Sequence, residues 1–161
     1  MNAKKISQIA LLSAVAIVLG YIESCFPPIV PVAGVKVGLS NIAVMCALYK
    51  LDAKSAGFVA FVKVLVTALW FSGLNALIFS GFGAIFALFS MIIFKKLKLS
   101  QIGVGVCGGV FHNIGQTVAA VFVMSNAKIG YLVPPLLISG ILAGVVVGVV
   151  TRLTLKMIKN I

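Results

Sequence analysis

Residues 131–151, YLVPPLLISGILAGVVVGVVT, form an apolar run without a charged side chain. A helix needs about 20 apolar residues to cross the hydrocarbon core of a bilayer, and this run supplies them. Pro134 and Pro135 lie in its first turns, where a missing backbone donor costs least. The sequence therefore predicts a transmembrane helix over about 131–156.

The rest of the chain has the same character. Of its 161 residues, 62% are hydrophobic and only 9% are charged, which is too few polar residues to cover a small soluble domain. Six helices of about 20 residues account for most of the chain. We therefore expect one integral membrane domain over 1–161, an all-α protein built as a six-transmembrane-helix bundle. The other predicted helices are about 5–25, 38–51, 53–71, 75–94 and 100–124.

The second predicted helix is short. Pro27, Pro28 and Pro31 forbid a helix in the segment before it, and the range 38–51 covers only about 20 Å. We expect the proline-rich segment to dip into the protein from the outer side and to complete this span, so that five helices cross the membrane fully.

The basic residues predict the orientation. With both termini in the cytoplasm, ten of the 13 basic residues lie on the cytoplasmic side, two outside and one, Lys63, within a span. Basic residues favour the cytoplasmic side. The net charge of +11 therefore indicates orientation in a bacterial cell membrane and not nucleic-acid binding. The cytoplasmic set is Lys4, Lys5, Lys50, Lys54, Lys95, Lys96, Lys98, Arg152, Lys156 and Lys159, and the outer set is Lys36 and Lys128.

Two charged side chains lie within predicted spans. A lysine at the middle of a span costs roughly 2.5–3.5 kcal/mol on insertion scales, so Lys63 must face the interior and have a partner or a ligand. Glu23, toward the outer end of the first helix, either pairs with Lys63 or Lys36 or contacts a solute, and the sequence leaves these alternatives open. Asp52, the other acidic residue, is expected to cap the third helix.

Four polar residues lie close together on the fifth helix. His112, Asn113, Gln116 and Thr117 are spaced i, i+1, i+4 and i+5, which predicts one helical face near mid-membrane. Unsatisfied polar groups are costly at this depth. A single histidine would most often be a satisfied core residue, but four polar groups in one stripe favour a wall that faces a solute.

The start of the second helix is a further candidate. Ser40 and Asn41 either cap this helix or leave its free amides to attract an anion, as in transporters with broken helices. Lys36 lies beside them, and with Lys63 it suggests a solute with negative charge, or a pocket whose excess charge Glu23 balances. The predicted substrate-binding residues are Glu23, Lys36, Ser40, Asn41, Lys63, His112, Asn113 and Gln116.

Small residues indicate where helices approach each other or a partner. Gly140, Gly144 and Gly148 form a doubled GxxxG pattern in the sixth helix, for which packing within the bundle is the simpler explanation. Ala10 and Ala14 form a stripe toward the cytoplasmic end of the first helix. Packing within the bundle and docking of a partner are about equally favoured for that stripe.

Three stretches resemble a known family. The run LSAVAIVLGYIESCFPPIVPVAGVKV at 12–37 is followed by GLSNIAVMCALYKLD at 38–52 and by FHNIGQ at 111–116. They resemble the small bacterial membrane proteins called Gx transporters, which also carry the name heptaprenyl diphosphate synthase component I. The likeness spans nearly the whole chain. It departs at Lys63, where arginine is expected, so the charge is kept but bidentate hydrogen bonding is not.

The resemblance implies a fold and a function. The family is similar to the substrate-binding S components of energy-coupling factor (ECF) transporters, six-helix proteins that capture vitamins or their precursors. S components pair with a transmembrane coupling protein and two cytoplasmic ATPases, and the coupling protein docks on a small-residue stripe that Ala10 and Ala14 match. The resemblance thus implies a chain without cofactor or metal that binds a small solute, either vitamin-like or an isoprenoid or quinone precursor.

The second name of the family supplies the alternative function. Elongation of prenyl diphosphates needs Mg²⁺ held by clustered aspartates, whereas this sequence contains one Asp and one Glu. Catalysis by the chain is therefore not expected. A noncatalytic membrane accessory subunit of a polyprenyl diphosphate synthase is the alternative to a transporter subunit.

Overall fold

The computed structural model describes residues 2–25, 38–125 and 127–159, apart from the side chains of 71–76, 127, 129 and 159. Over these ranges the chain forms six α-helices and no strand, so the all-α, six-helix prediction is confirmed. A π-helical segment, Ala68–Ser72, joins the third helix to the fourth, and a 3-10 helix, Ala127–Leu132, precedes the sixth. The helices are α1 (Ala3–Ser24), α2 (Asn41–Lys50), α3 (Ala53–Thr67), α4 (Gly73–Lys96), α5 (Gln101–Met124) and α6 (Val133–Lys159).

Five helical segments are long and apolar enough to cross a membrane, and α2 is not among them. They are Ala3–Ser24, Ala53–Trp70, Leu77–Lys96, Gln101–Met124 and Gly130–Ile158. Large apolar side chains cover the outside of the described bundle, as a lipid-facing surface requires. The fold is that of a multi-pass membrane protein in which α2 is a short helix, as the sequence predicts.

α2 begins three residues later than the predicted start at about residue 38. Gly38 has a φ of +82°, in the left-handed region that favours glycine, so the helix begins only at Asn41. The Ser40 hydroxyl makes no capping hydrogen bond to the helix that follows it. The capping alternative for Ser40 is therefore not observed.

Two lysines, one on α1 and one on α4, form hydrogen bonds to the end of α2 and to the turn that follows it. Lys5 of α1 donates to Asp52 Oδ2 over 2.5 Å, while Asp52 Oδ1 accepts from the Ser55 amide over 2.8 Å and caps α3 as predicted. The hydrogen bond from Lys5 and then that from Ser55 lower the pKa of Asp52 below its usual range. Lys95 of α4 donates to the Leu48 carbonyl near the end of α2 over 2.6 Å. We call the end of the bundle that contains Lys5, Asp52 and Lys95 the basic end, and α1 begins there.

Glycines bring the backbones of α5 and α6 into direct contact. A Cβ at Gly109 would lie 2.2 Å from the Gly140 carbonyl oxygen, and one at Gly105 would lie 2.4 Å from the Gly144 carbonyl oxygen. Such proximity increases van der Waals packing, which drives helix association in membranes. The GxxxG pattern of α6 is therefore used within the bundle.

We predict that Gly109→Ala destabilises the protein by about 1–3 kcal/mol, because its methyl group would overlap a backbone carbonyl of α6. Thermal unfolding in detergent should show a lower Tm. Gly57→Ala is the matched control, since a Cβ there would lie at an ordinary 3.7 Å from Leu88. Equal Tm values for the two variants would contradict the backbone contact between α5 and α6.

Candidate functional site

Lys63 lies in the interior of the bundle. Its side chain is only 5% exposed, and its Nζ donates a hydrogen bond to Asn41 Oδ1 over 2.9 Å. Asn41 is the first residue of α2 and is itself buried. The late start of α2 thus brings a neutral acceptor to a cation that lies far from water.

Glu23, near the end of α1, is also buried, with 7% of its surface exposed. Its Oε1 accepts a hydrogen bond from the backbone N–H of Gly38, three residues before α2. The carboxylate therefore lies close to the N-terminus of α2, where the helix dipole favours an anion. This backbone contact was not among the alternatives that the sequence suggested.

Thr67, one turn after Lys63 on α3, is a buried polar residue that the sequence prediction does not include. Its hydroxyl donates to the Lys63 carbonyl over 2.8 Å. A Cβ at Gly20 would lie 2.8 Å from Thr67 Cγ2 and 3.9 Å from Ser40 Cβ, so α1, α2 and α3 meet at this level. The i+4 spacing from Lys63 was the signal that could have identified Thr67.

His112 and Gln116 of α5 face α4. Both side chains are buried, and a Cβ at Gly83 of α4 would lie 2.8 Å from His112 Cε1 and from Gln116 Cγ. Both side chains therefore lie at the contact between α4 and α5. His112 Nδ1 makes no hydrogen bond of normal geometry to the described residues.

Asn113 and Thr117 point elsewhere. Asn113 Nδ2 donates to the Leu136 carbonyl over 2.7 Å and to Ser139 Oγ over 3.1 Å, both on α6, and the Thr117 hydroxyl donates to the Asn113 carbonyl over 2.8 Å. The expectation of a single polar wall is therefore wrong in part. Successive residues of a helix are about 100° apart, so Asn113 faces α6 while its neighbour faces α4. The role of Asn113 as a solute ligand stays a prediction.

Among the predicted substrate-binding residues, Asn41 binds Lys63, Glu23 binds Gly38 three residues before α2, and His112 and Gln116 lie side by side against Gly83. Ser40, which precedes Asn41, is buried against Gly20, and Lys36 lies outside the described residues. Ala10 and Ala14 are exposed on the outer side of α1. That these residues bind a solute or a partner stays a prediction. We call the following five residues the buried polar cluster: Glu23, Asn41, Lys63, His112 and Gln116.

Comparison with known proteins identifies the family. The sequence profile described as heptaprenyl diphosphate synthase component I matches residues 12–154. The chain belongs to this family. Among solved structures, the S component of a bacterial ECF transporter matches with a TM-score of 0.74 and 21% sequence identity, covering 98% of this chain and 96% of that chain. This likeness shows that the chain has the fold of an S component. No curated protein sequence gives a significant match.

We predict that Asn41→Ala lowers the thermal stability, because the buried ammonium of Lys63 loses an acceptor, a loss of roughly 1–3 kcal/mol. Lys63→Met removes the charge while keeping an apolar chain of similar length, so without solute it should unfold at or above the wild-type temperature. Thermal unfolding in one detergent measures both, with the exposed Lys54→Ala as the control on α3. An Asn41→Ala protein as stable as this control would contradict a stabilising role for the hydrogen bond.

Proposed function

We propose that the chain is the substrate-binding integral membrane subunit of an ECF-type transporter that takes up a small solute. The observation that carries this proposal is the buried polar cluster, which holds an ammonium, a carboxylate, an imidazole and two amides inside an apolar bundle. Ionisable groups at such depth are costly and commonly belong to binding sites or transport pathways. The S-component fold supports the same function, because the solved protein with that fold is part of a transporter.

The proposed solute is small and carries negative charge. Lys63 is the cation of the buried polar cluster, and the N-terminus of α2 adds the positive end of a helix dipole beside it. An anionic group could bind there by charge-assisted hydrogen bonds, which are the stronger kind. Vitamin-like compounds and precursors of isoprenoids or quinones are the proposed classes, and the name of the family favours the last two.

The proposed partners are a transmembrane coupling protein and two ATPases of the ECF type, in a bacterial cell membrane. One side of α1 is buried in the bundle, at Ile9, Ser13 and Ala16, whereas Ala10 and Ala14 lie exposed on the other side. Small exposed residues let a second helix approach closely. The proposed orientation has both termini in the cytoplasm, with the basic end facing the anionic inner leaflet.

A noncatalytic accessory subunit of a polyprenyl diphosphate synthase is the second candidate, favoured by the name of the matching family. The positions of the acidic residues argue against catalysis by this chain. Asp52 lies at the basic end and binds Lys5, whereas Glu23 lies at the other end of α1 and binds Gly38. Two carboxylates at opposite ends of a helix cannot hold one magnesium ion between them. Stable association with a prenyl synthase subunit and no solute uptake would favour this candidate.

We predict that Lys63→Ala lowers solute binding by at least about tenfold while the protein stays folded, because a hydrogen bond to a charged group contributes about 1.5–3 kcal/mol. Native mass spectrometry of the purified protein measures the small molecule that co-purifies, and uptake into cells measures transport. Lys54→Ala, the exposed lysine on the same helix, should behave as wild type. Unchanged uptake and occupancy in Lys63→Ala would exclude the proposed site.

We predict that the double variant Ala10→Trp and Ala14→Trp no longer associates with the coupling protein, since two large rings prevent close approach of a partner helix. Co-purification from cells that express the complete transporter measures the association. The control is Leu142→Trp, which places the same ring at a position of α6 that is 64% exposed. Equal recovery of the coupling protein with both proteins would show that the alanine stripe is not the docking surface.

A further inference from the structure

Gly83 of α4 lies directly against two members of the buried polar cluster. A Cβ at this position would lie 2.8 Å from His112 Cε1, 3.0 Å from His112 Nδ1 and 2.8 Å from Gln116 Cγ. Real Cβ atoms essentially never approach other atoms below 3.0 Å. The imidazole and the amide side chain therefore occupy the space that any larger residue at position 83 would need.

The two helices cannot easily separate to make room for a side chain at Gly83. A Cβ at Gly115 of α5 would lie only 2.7 Å from the carbonyl oxygen of Phe82, the neighbour of Gly83 on α4. The backbones of α4 and α5 are thus in contact at this level, and opening them would lose close packing. An added methyl group would instead displace the side chains of His112 and Gln116 away from α4.

Displacement of these side chains changes the interior of the site. Both are nearly fully buried, at 4% and 3% exposure, so they can move only among other buried groups. A shift of His112 therefore alters the arrangement of polar groups in the interior.

We propose that Gly83 is a positioning residue of the site: because it has no side chain, His112 and Gln116 can pack directly against the α4 backbone. Their position then determines where the imidazole and the amide meet a solute. This inference rests on the proposed function, because it assigns a solute to the same cluster. The position has no side chain of its own and acts through its two neighbours.

The test uses the single histidine of the chain as a probe. The full-length protein is labelled with ¹⁵N-histidine, and the ring nitrogen resonances of His112 are compared in wild type, Gly83→Ala and Gly81→Ala. Gly81 is the matched control, because a Cβ there would meet nothing within 4 Å. Native mass spectrometry of the same samples measures the small molecule that co-purifies.

We expect Gly83→Ala to shift the ring nitrogen resonances and to lower the amount of co-purified molecule about tenfold, a difference of about 1.4 kcal/mol. Gly81→Ala should match wild type in both measurements. Wild-type resonances in a folded Gly83→Ala protein would overturn the positioning role. Shifted resonances with full retention of the molecule would overturn the role of this position in solute binding.

Two further comparisons keep the test decisive. If Gly83→Ala does not fold, Gly83→Ala with Gln116→Ala replaces it and is compared with Gln116→Ala alone, because the double variant keeps only the contact with His112. Equal imidazole resonances in that pair would overturn the inference. Retention of the molecule by Lys63→Ala would refute the proposed function instead, while the resonances of Gly83→Ala would still decide whether this glycine positions His112.

Discussion

The interior of this protein depends on the need to accommodate the ammonium group of Lys63 within an apolar bundle. A lysine inside a span costs several kcal/mol unless polar groups surround it, and the backbone of α3 is already hydrogen-bonded within its own helix. The acceptor comes from Asn41, the first residue of α2, at 2.9 Å. Because α2 has to start at the depth of Lys63, only 10 residues remain before it ends near Lys50. The shortness of α2 thus follows from the position of one charge.

A helix that starts inside the bundle creates a second requirement. The amides at and before its first turn have no partner within the helix, and burial makes unpaired amides expensive. The left-handed backbone at Gly38 lets one such N–H meet the carboxylate of Glu23. The same contact brings a negative charge to the N-terminus of α2, whose first residue binds Lys63. One glycine and one glutamate therefore satisfy this N–H, while the amides of Asn41 and Ile42 donate to the carbonyls of Gly38 and Leu39.

The sequence was sufficient for the helices and for the inward direction of Lys63, since both follow from apolar length and the cost of charge in a bilayer. It was not sufficient for the direction of each polar side chain of α5. Asn113 and His112 are adjacent, and which helix each one meets depends on the rotation of α5 against α4 and α6. The sequence predicts too early a start for α2, because a glycine can occupy a helix and its φ cannot be read from the sequence. Gly83 carried no signal, because its importance comes entirely from residues about 30 positions away.

All six helices contribute to one apolar core, but two parts of the described bundle differ in their closest contacts. Glycines bring α4, α5 and α6 into backbone contact, an arrangement that resists sliding because neither backbone can move without a clash. Polar contacts join α1, α2 and α3, through Glu23 with Gly38, Asn41 with Lys63 and Lys5 with Asp52. A polar group can exchange one hydrogen-bond partner for another, whereas two closely packed backbones have no alternative contact. The buried polar cluster has members in both parts, so a solute bound there, as proposed, would meet exchangeable hydrogen bonds at Asn41 and Lys63 and closely packed helices beside His112 and Gln116.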